Sequence, residues 1–352
     1  MESGIKNIQW LETLRTLAML GVIIIHVSTP VVKMTYGKSM EFWWIGNIMD
    51  SAVRFSVPLF LMLSGATMLG KEYKLVEFYQ KRFWRVLLPF LFWMVIYWVY
   101  RWMVLDPKVQ PHEPYPVFRW GIDLFLKEGI SKHFWYIYMI LCIYLFVPFM
   151  GKWVQKLNLS VISFILTGWI ILTFACKTIP LNLYNWSGEY QSKFLGYFLY
   201  TGYLLLGYYL SKLTVSSISF RIYAFIVFIL SMLSSAGFTY FFSIQAHHLD
   251  LSMYSYLTIN TIIQSIAIFI LVKNSSIKNL YISRFLDTIS NYSYGIYLVH
   301  ILVIGIFFQN GIFWTMAHPL ISIPLLTVMT LFASFIIIYL LRKIPFGKFI
   351  SG

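Results

Sequence analysis

The sequence is poor in charged residues. Only 11% of its 352 residues are charged and 59% are hydrophobic, whereas about 25% charged residues is usual in a soluble globular protein. So few charged side chains cannot cover the water-facing surface of a chain of this length. The shortage excludes a soluble globular protein. The aromatic content of 20% suits a chain whose Trp and Tyr side chains line two membrane interfaces.

Cysteine is also scarce, with only Cys142 and Cys176, which lie within and at the end of apolar runs. Two isolated cysteines define neither a disulfide framework nor a metal site, and we predict no metal. The chain also lacks internal repeats, low-complexity tracts and any polar stretch long enough for a separate soluble domain. We therefore expect one membrane domain that comprises residues 1–352.

The formal net charge of +14 could by itself indicate nucleic-acid binding. However, the basic residues lie in short loops between apolar runs and form no contiguous tract, so we predict no nucleic-acid partner. Basic residues of short loops favour the cytoplasmic side of a membrane. When the N-terminus is placed inside, most of the 27 Lys and Arg residues fall on that side. An even number of spans then makes both termini cytoplasmic.

Ten apolar segments approach the length of about 20 residues that a membrane-spanning helix needs. The predicted fold class is therefore all-α, a polytopic membrane bundle of about ten helices. We expect the longest connection, residues 106–132, to be an ordered loop at the membrane surface. The ten predicted spans are Trp10–Val31, Trp44–Leu69, Phe83–Leu105, His133–Met150, Ser160–Cys176, Phe194–Leu210, Arg221–Ser243, Tyr254–Val272, Asn291–Phe308 and His318–Leu341.

Ionisable side chains within the first span mark a candidate functional site, because charge at membrane depth is costly. Arg15 and His26 are 11 residues apart, which places them on one helical face about 16 Å apart along the axis. Glu12 precedes Arg15 by one turn and can pair with it. The structural alternatives are a snorkelling anchor for Arg15 and a helix-packing role for His26.

The second span carries Asp50 and Arg54, which are four residues apart and therefore share a face. They form either an internal ion pair or part of a binding site for a polar acceptor. Pro58 follows in the same span and would break or kink the helix.

Three basic residues, Lys81, Arg82 and Arg85, precede the third span at its cytoplasmic boundary. Such residues serve either as membrane anchors or as an anion clamp for the phosphates of a nucleotide-like donor, since arginine offers bidentate contacts to phosphate.

The fourth and ninth spans carry polar and aromatic side chains that suit a substrate site. His133 and Trp135 open the fourth span, where the alternatives are an interfacial aromatic belt and a platform for sugar rings. On the ninth span, Ser293, Tyr297 and His300 share one face and could all point into the bundle.

The order and spacing of these motifs resemble the acyltransferase-3 family of membrane O-acyltransferases over nearly the whole chain. The stretch NIMDSAVRFSVPLFLMLSG looks most like the branch of this family that O-acetylates enterobacterial common antigen. The motifs that carry the resemblance are Arg15-x10-His26, FSVPLFLMLSG, Arg82-x-x-Arg85, HFWYIYMILCIYLFVP and SYGIYLVH.

The resemblance implies ten helices, a donor of the acetyl-CoA type, an essential role for Arg15 and His26, and donor binding by Arg82 and Arg85. We therefore expect transfer of an acetyl or other acyl group from acyl-CoA to a hydroxyl of a cell-surface or lipid-linked polysaccharide, with His26 as general base. The acyl-CoA is a substrate, and no permanently bound cofactor is expected.

Two other functions remain open at this level. A glycan transporter or flippase would need intramembrane charges but neither a CoA clamp nor a catalytic base. A sensor or scaffold would carry a degenerate site. In each case the partners include membrane lipid, and the expected location is the plasma membrane of a prokaryote.

Overall fold

The computed structural model describes residues 2–104, 130–178, 196–214, 217–273, 275 and 277–352. These ranges contain helices and no strand, which confirms the all-α prediction. In chain order the helices are α1 (Glu2–Thr35), α2 (Met40–Ala52), α3 (Ser56–Met68), α4 (Leu75–Arg82), α5 (Leu88–Val104), α6 (Trp135–Val154), α7 (Leu159–Thr178), α8 (Thr201–Lys212), α9 (Ile218–Ala246), α10 (Ile259–Lys273), α11 (Leu280–Gln309), α12 (Pro319–Leu341) and α13 (Gly347–Ile350).

Nine helical segments of the described chain are long and apolar enough to cross a membrane. They correspond to nine of the ten predicted spans. At the predicted sixth span, Phe194–Leu210, the structure describes the 12-residue helix α8, and the residues before 196 lie outside the described ranges. The predicted interfacial connection, residues 106–132, also lies almost entirely outside them.

The predicted second span, Trp44–Leu69, is two helices with a turn at residues 53–55. Pro58 is the third residue of α3, where a missing N–H costs little because the first turn of a helix has no internal acceptor for it. The proline thus lies just after the break. Arg54 lies in the turn itself, and Asp50 is close to the end of α2.

Helix α1 lies at the centre of the bundle and contacts α2, α3, α10, α11 and α12. Helices α7 and α9 lie at the periphery, where exposed apolar side chains such as Phe164 and Phe225 suit a lipid environment. This arrangement explains why α1 can carry ionisable side chains: its neighbours shield them from lipid.

Small residues bring α3 and α8 into close backbone contact. A Cβ atom at Gly65 would collide with the carbonyl oxygen of Leu204, and one at Gly207 would collide with that of Met62. Glycine at such positions lets two membrane helices approach until their backbones touch. Helix α3 also contributes to the site described below, so this contact helps to position it.

Alanine in place of Gly65 is expected to destabilise the bundle by about 1–3 kcal/mol, the usual cost of overpacking, because a backbone carbonyl cannot rotate out of the way. Thermal unfolding in detergent measures the effect. Gly168→Ala on α7 is the matched control, since a Cβ there meets open space and favours the helix. Equal unfolding temperatures for the two variants would show that the α3–α8 contact can relax.

Candidate functional site

A cavity of about 830 Å³ opens beside α4, at the end of the bundle to which the first half of α1 belongs. Its volume lies within the range of about 300–1,000 Å³ found for pockets that hold organic ligands. Because basic side chains outnumber acidic ones in its lining, we call it the basic cavity. The charged lining residues are Arg15, Lys71, Lys74, Lys81, Arg82 and Arg85 with Glu72 and Glu77.

The predicted anion clamp lies in this lining. The Arg82 guanidinium carbon is 5.2 Å from the ring centre of Phe78 and 5.0 Å from that of Tyr144, so two aromatic rings hold its side chain in place. Arg85 lies in a π-helical turn, Phe83–Leu87, that joins α4 to α5. Lys81 is exposed at the rim. The structure thus brings all three predicted residues to one cavity.

Arg15 reaches the same cavity from α1. Its Nη1 donates a hydrogen bond to Oγ of Ser290 on α11 at 2.9 Å. Glu12 interacts electrostatically with Arg15, as its spacing predicts, although the two do not form a close ion pair among the described residues, and the Glu12 carboxyl also interacts with that of Asp287. Helix α11 runs beside α1 and offers a further partner to each of the two residues, which helical spacing alone does not predict.

The sequence did not single out Lys71, Lys74 or Tyr73 as site residues, yet all three line the basic cavity. In the sequence, Lys71 and Lys74 form a second basic pair within ten residues of the predicted clamp, and this pair was the available indication. Lys74 pairs with Glu77 at 3.0 Å, while Lys71 is exposed and has no described ion pair. Burial raises the pKa of the Tyr73 phenol, so its hydroxyl stays protonated at neutral pH.

Three imidazoles meet in the bundle interior. The His26 ring centre is 5.2 Å from that of His300 and 6.5 Å from that of His133, and the last two are 5.3 Å apart. His133 and His300 are buried, whereas His26 is partly accessible. We call this group the imidazole cluster. It unites α1, the short helical turn before α6, and α11, which lie far apart in the sequence.

Tyr297 separates the basic cavity from the imidazole cluster. Its side chain lines the cavity, its hydroxyl donates a hydrogen bond to the backbone carbonyl of His133, and its ring centre is 5.6 Å from that of His300. Sharing one helical face therefore does not bring Arg15 and His26 into one cavity. Arg15 lines the cavity, whereas His26 does not and lies next to His300, behind the Tyr297 wall.

Asp50 and Arg54 form the buried ion pair that their spacing predicts. The Asp50 carboxylate also accepts hydrogen bonds from Ser28 and Thr29 of α1, the latter at 2.8 Å. Arg54 donates to the backbone carbonyl of Tyr254, whose ring lies 3.9 Å from the guanidinium carbon. Through Asp50 and Arg54, these contacts link α1 to Tyr254, which lies shortly before α10.

A second cavity, of about 720 Å³, lies on the other side of the cluster, and we call it the distal cavity. Arg54 lines it, as do Thr29 and Lys33 at the far end of α1. Thr29 is 14 residues beyond Arg15, which corresponds to about 21 Å of helix. It also lies close to one turn beyond His26. The two cavities therefore lie toward opposite ends of α1.

The distal cavity is close to neutral, in contrast to the basic one. Hydrogen bonds from Ser252 hold the pKa of Asp250 below its usual range, so this carboxylate is ionised and offsets the charge of Lys33. Arg54 is already paired with Asp50. Hydroxyl and aromatic groups from Thr29, Ser252, Ser255, Thr258, Tyr254 and Phe242 supply most of the remaining lining.

Two further predicted site residues have different surroundings. His133, predicted to bind substrate, is buried in the cluster. Trp135 lines neither of the two cavities, because its ring is stacked on Tyr256 at 5.8 Å. Within the described ranges, no group of three or more His, Cys, Asp or Glu side chains is arranged to hold a metal ion.

Comparison with known proteins identifies one protein family. A family model described as an acyltransferase domain matches residues 8–339. This range contains nearly the whole chain, including both cavities and the imidazole cluster. No curated protein and no solved structure matches the chain.

Proposed function

Since the chain belongs to the acyltransferase-3 family of membrane acyltransferases, we propose that it transfers an acetyl group from acetyl-CoA to a sugar hydroxyl. The acceptor is a cell-surface or lipid-linked polysaccharide, as in the branch that modifies enterobacterial common antigen. The protein works in the plasma membrane of a prokaryote, with the basic cavity open to the cytoplasm. The supporting observation is the imidazole cluster, which lies between a basic cavity and a nearly neutral one.

The donor binds in the basic cavity. Phosphate groups of CoA meet Arg82, Arg85 and Lys81, since guanidinium groups form strong, directional hydrogen bonds to phosphate. Arg15 lies deeper, beside Ser290, and contacts the pantetheine arm. The surplus of basic side chains in this cavity favours an anion, and the six basic residues also raise the local donor concentration.

The acceptor binds in the distal cavity. Its nearly neutral lining of hydroxyl and aromatic groups suits a sugar, which hydrogen-bonds through hydroxyls and stacks on aromatic rings. Arg54, fixed by Asp50, contacts the sugar from the cavity wall. Trp135 contributes indirectly, because its ring packs on Tyr256. The Tyr256 ring centre lies 6.0 Å from the Arg54 guanidinium carbon.

The two substrates meet at the imidazole cluster. His133 and His300 form its donor side, and Tyr297 separates them from the basic cavity. The thioester reaches it when the Tyr297 ring moves aside. His26 takes the proton of the acceptor hydroxyl as general base, and the resulting oxygen attacks the thioester carbon. The Tyr297 hydroxyl, released from the His133 carbonyl, can then stabilise the oxyanion. A two-step route through an acyl-His26 intermediate uses the same residues.

Transfer from radiolabelled acetyl-CoA to a glycan extract by the purified protein in detergent tests this function. We expect an alkali-labile label on the glycan, and we expect the polysaccharide of a deletion strain to lose ester groups that its parent carries. Protein that binds glycan but transfers no label, and that moves glycan across proteoliposomes, would be a transporter instead.

A further inference from the structure

His300 presents a free lone pair inside the imidazole cluster. Its Nδ1 lies 2.6 Å from the carbonyl oxygen of Tyr297. Because a carbonyl can only accept a hydrogen bond, Nδ1 carries the proton of the neutral ring. The lone pair is therefore on Nε2, which is buried and has no hydrogen-bond partner among the described residues. Most buried polar atoms have a partner, so this one calls for a role.

The position of His300 complements that of His26. His26 lies close to one turn before Thr29 of the distal cavity, whereas His300 contacts Tyr297 in the wall of the basic cavity. Their ring centres are 5.2 Å apart. His133 also has an unpartnered Nε2, but its Nδ1 faces the hydroxyl of Ser131, which can donate or accept. The Leu298 backbone also interacts with the His133 ring, so only for His300 does a described hydrogen bond place the proton on Nδ1 and the lone pair on Nε2.

Acyl transfer releases a proton from the acceptor hydroxyl on one side of the cluster, and the CoA thiolate needs a proton on the other side. The acceptor O–H bond breaks and its proton goes to His26, while the new O–C bond forms. The C–S bond then breaks and its electron pair stays on sulfur, which needs a proton to leave as CoA thiol. A path between the two sides of the cluster would restore His26 after each turnover.

We propose that His300 Nε2 takes this proton from the His26 imidazolium and delivers it to the thiolate of the departing CoA. His300 returns to its starting tautomer, because its Nδ1–H stays on the Tyr297 carbonyl throughout. Neither an oxidant nor a further reactant is required. The proposal rests on the acyl transfer proposed above and adds a residue that acts on the leaving group.

His300→Asn separates this role from a structural one. The asparagine amide can still donate to the Tyr297 carbonyl, but it has no lone pair at the position of Nε2. We expect kcat to fall by about 10²–10⁴-fold, the usual effect of losing a general acid or base, with the donor Kd unchanged. The decisive comparison uses two acetyl thioesters, one of an alkyl thiol and one of a more acidic aryl thiol.

An acidic thiol leaves without protonation, so the aryl thioester should suffer far less from His300→Asn than the alkyl thioester. A purely structural role for His300 would slow both donors equally, and that result would overturn the proposal. So would an unchanged kcat with the alkyl donor.

A measurement on the unsubstituted protein covers the case in which the variant does not fold. The solvent deuterium isotope effect on kcat should be larger with the alkyl thioester than with the aryl one, and equal effects would overturn the proposal. Transfer by the unsubstituted protein with no effect of His300→Asn would remove only this relay. Absence of all transfer by the unsubstituted protein would overturn the proposed function as well.

Discussion

Alanine in place of His26 is expected to abolish measurable acyl transfer, a loss of about 10²–10⁴-fold, because that is the contribution of a positioned general base. His26 is the cluster histidine on α1, and it lies close to one turn before Thr29 of the distal cavity, where the acceptor hydroxyl would lie. The His26 residue also keeps some accessible surface, whereas His133 and His300 are buried. The measurement is the rate of label transfer from acetyl-CoA to glycan.

The protein should remain folded after this substitution. Alanine removes ring packing against His133 and His300 but leaves no buried charge without a partner. Donor affinity should also be unchanged, since His26 does not line the basic cavity. His248→Ala, on an exposed loop outside both cavities, is the matched control and should transfer at the original rate. A normal rate for His26→Ala would remove His26 from the mechanism.

The double substitution of Arg82 and Arg85 by alanine is expected to weaken donor binding by about 10²–10⁴-fold, since it removes two contacts to phosphate. Each charge-assisted hydrogen bond to phosphate contributes about 1.5–3 kcal/mol, and a tenfold change in Kd corresponds to about 1.4 kcal/mol. Aromatic rings already hold the Arg82 side chain in place, so little conformational entropy is lost when it binds an anion. Titration with a non-hydrolysable CoA analogue in detergent gives the Kd.

The experiment must distinguish the loss of two positive charges from the loss of two charges at the clamp position. Arg221→Ala with Arg284→Ala removes two arginines that lie outside the basic cavity and is the matched control. If the clamp residues bind phosphate, only the first pair of substitutions raises the Kd. If the two pairs behave alike, Arg82 and Arg85 are membrane anchors and another part of the cavity holds the donor.

Several features of the site were predictable because they depend on one helix at a time. Spacing alone placed Asp50 beside Arg54, and the structure confirms their ion pair. The same logic put Ser293, Tyr297 and His300 on one face, and all three are buried. Spacing does not predict partners on a neighbouring helix: Arg15 interacts with Glu12 but also donates a hydrogen bond to Ser290 of α11.

The imidazole cluster could not be predicted from the spacing of residues along single helices. Each of its histidines was a separate candidate in the sequence, assigned to catalysis or to substrate binding. Their convergence depends on how α1, α6 and α11 are rotated and packed against each other. The same holds for Lys71 and Lys74, which join the clamp only because the chain turns between α3 and α4.

The sequence by itself determined that this is a helical membrane protein, where most of its spans lie, and which ionisable residues share a helical face. Those properties follow from apolar run length and from the fixed rotation of about 100° per residue. Only the tertiary structure decided that Tyr297 separates Arg15 from His26 and that two cavities of different charge flank the imidazole cluster. The physical reason is that contacts between helices depend on side-chain packing, which no local repeat encodes.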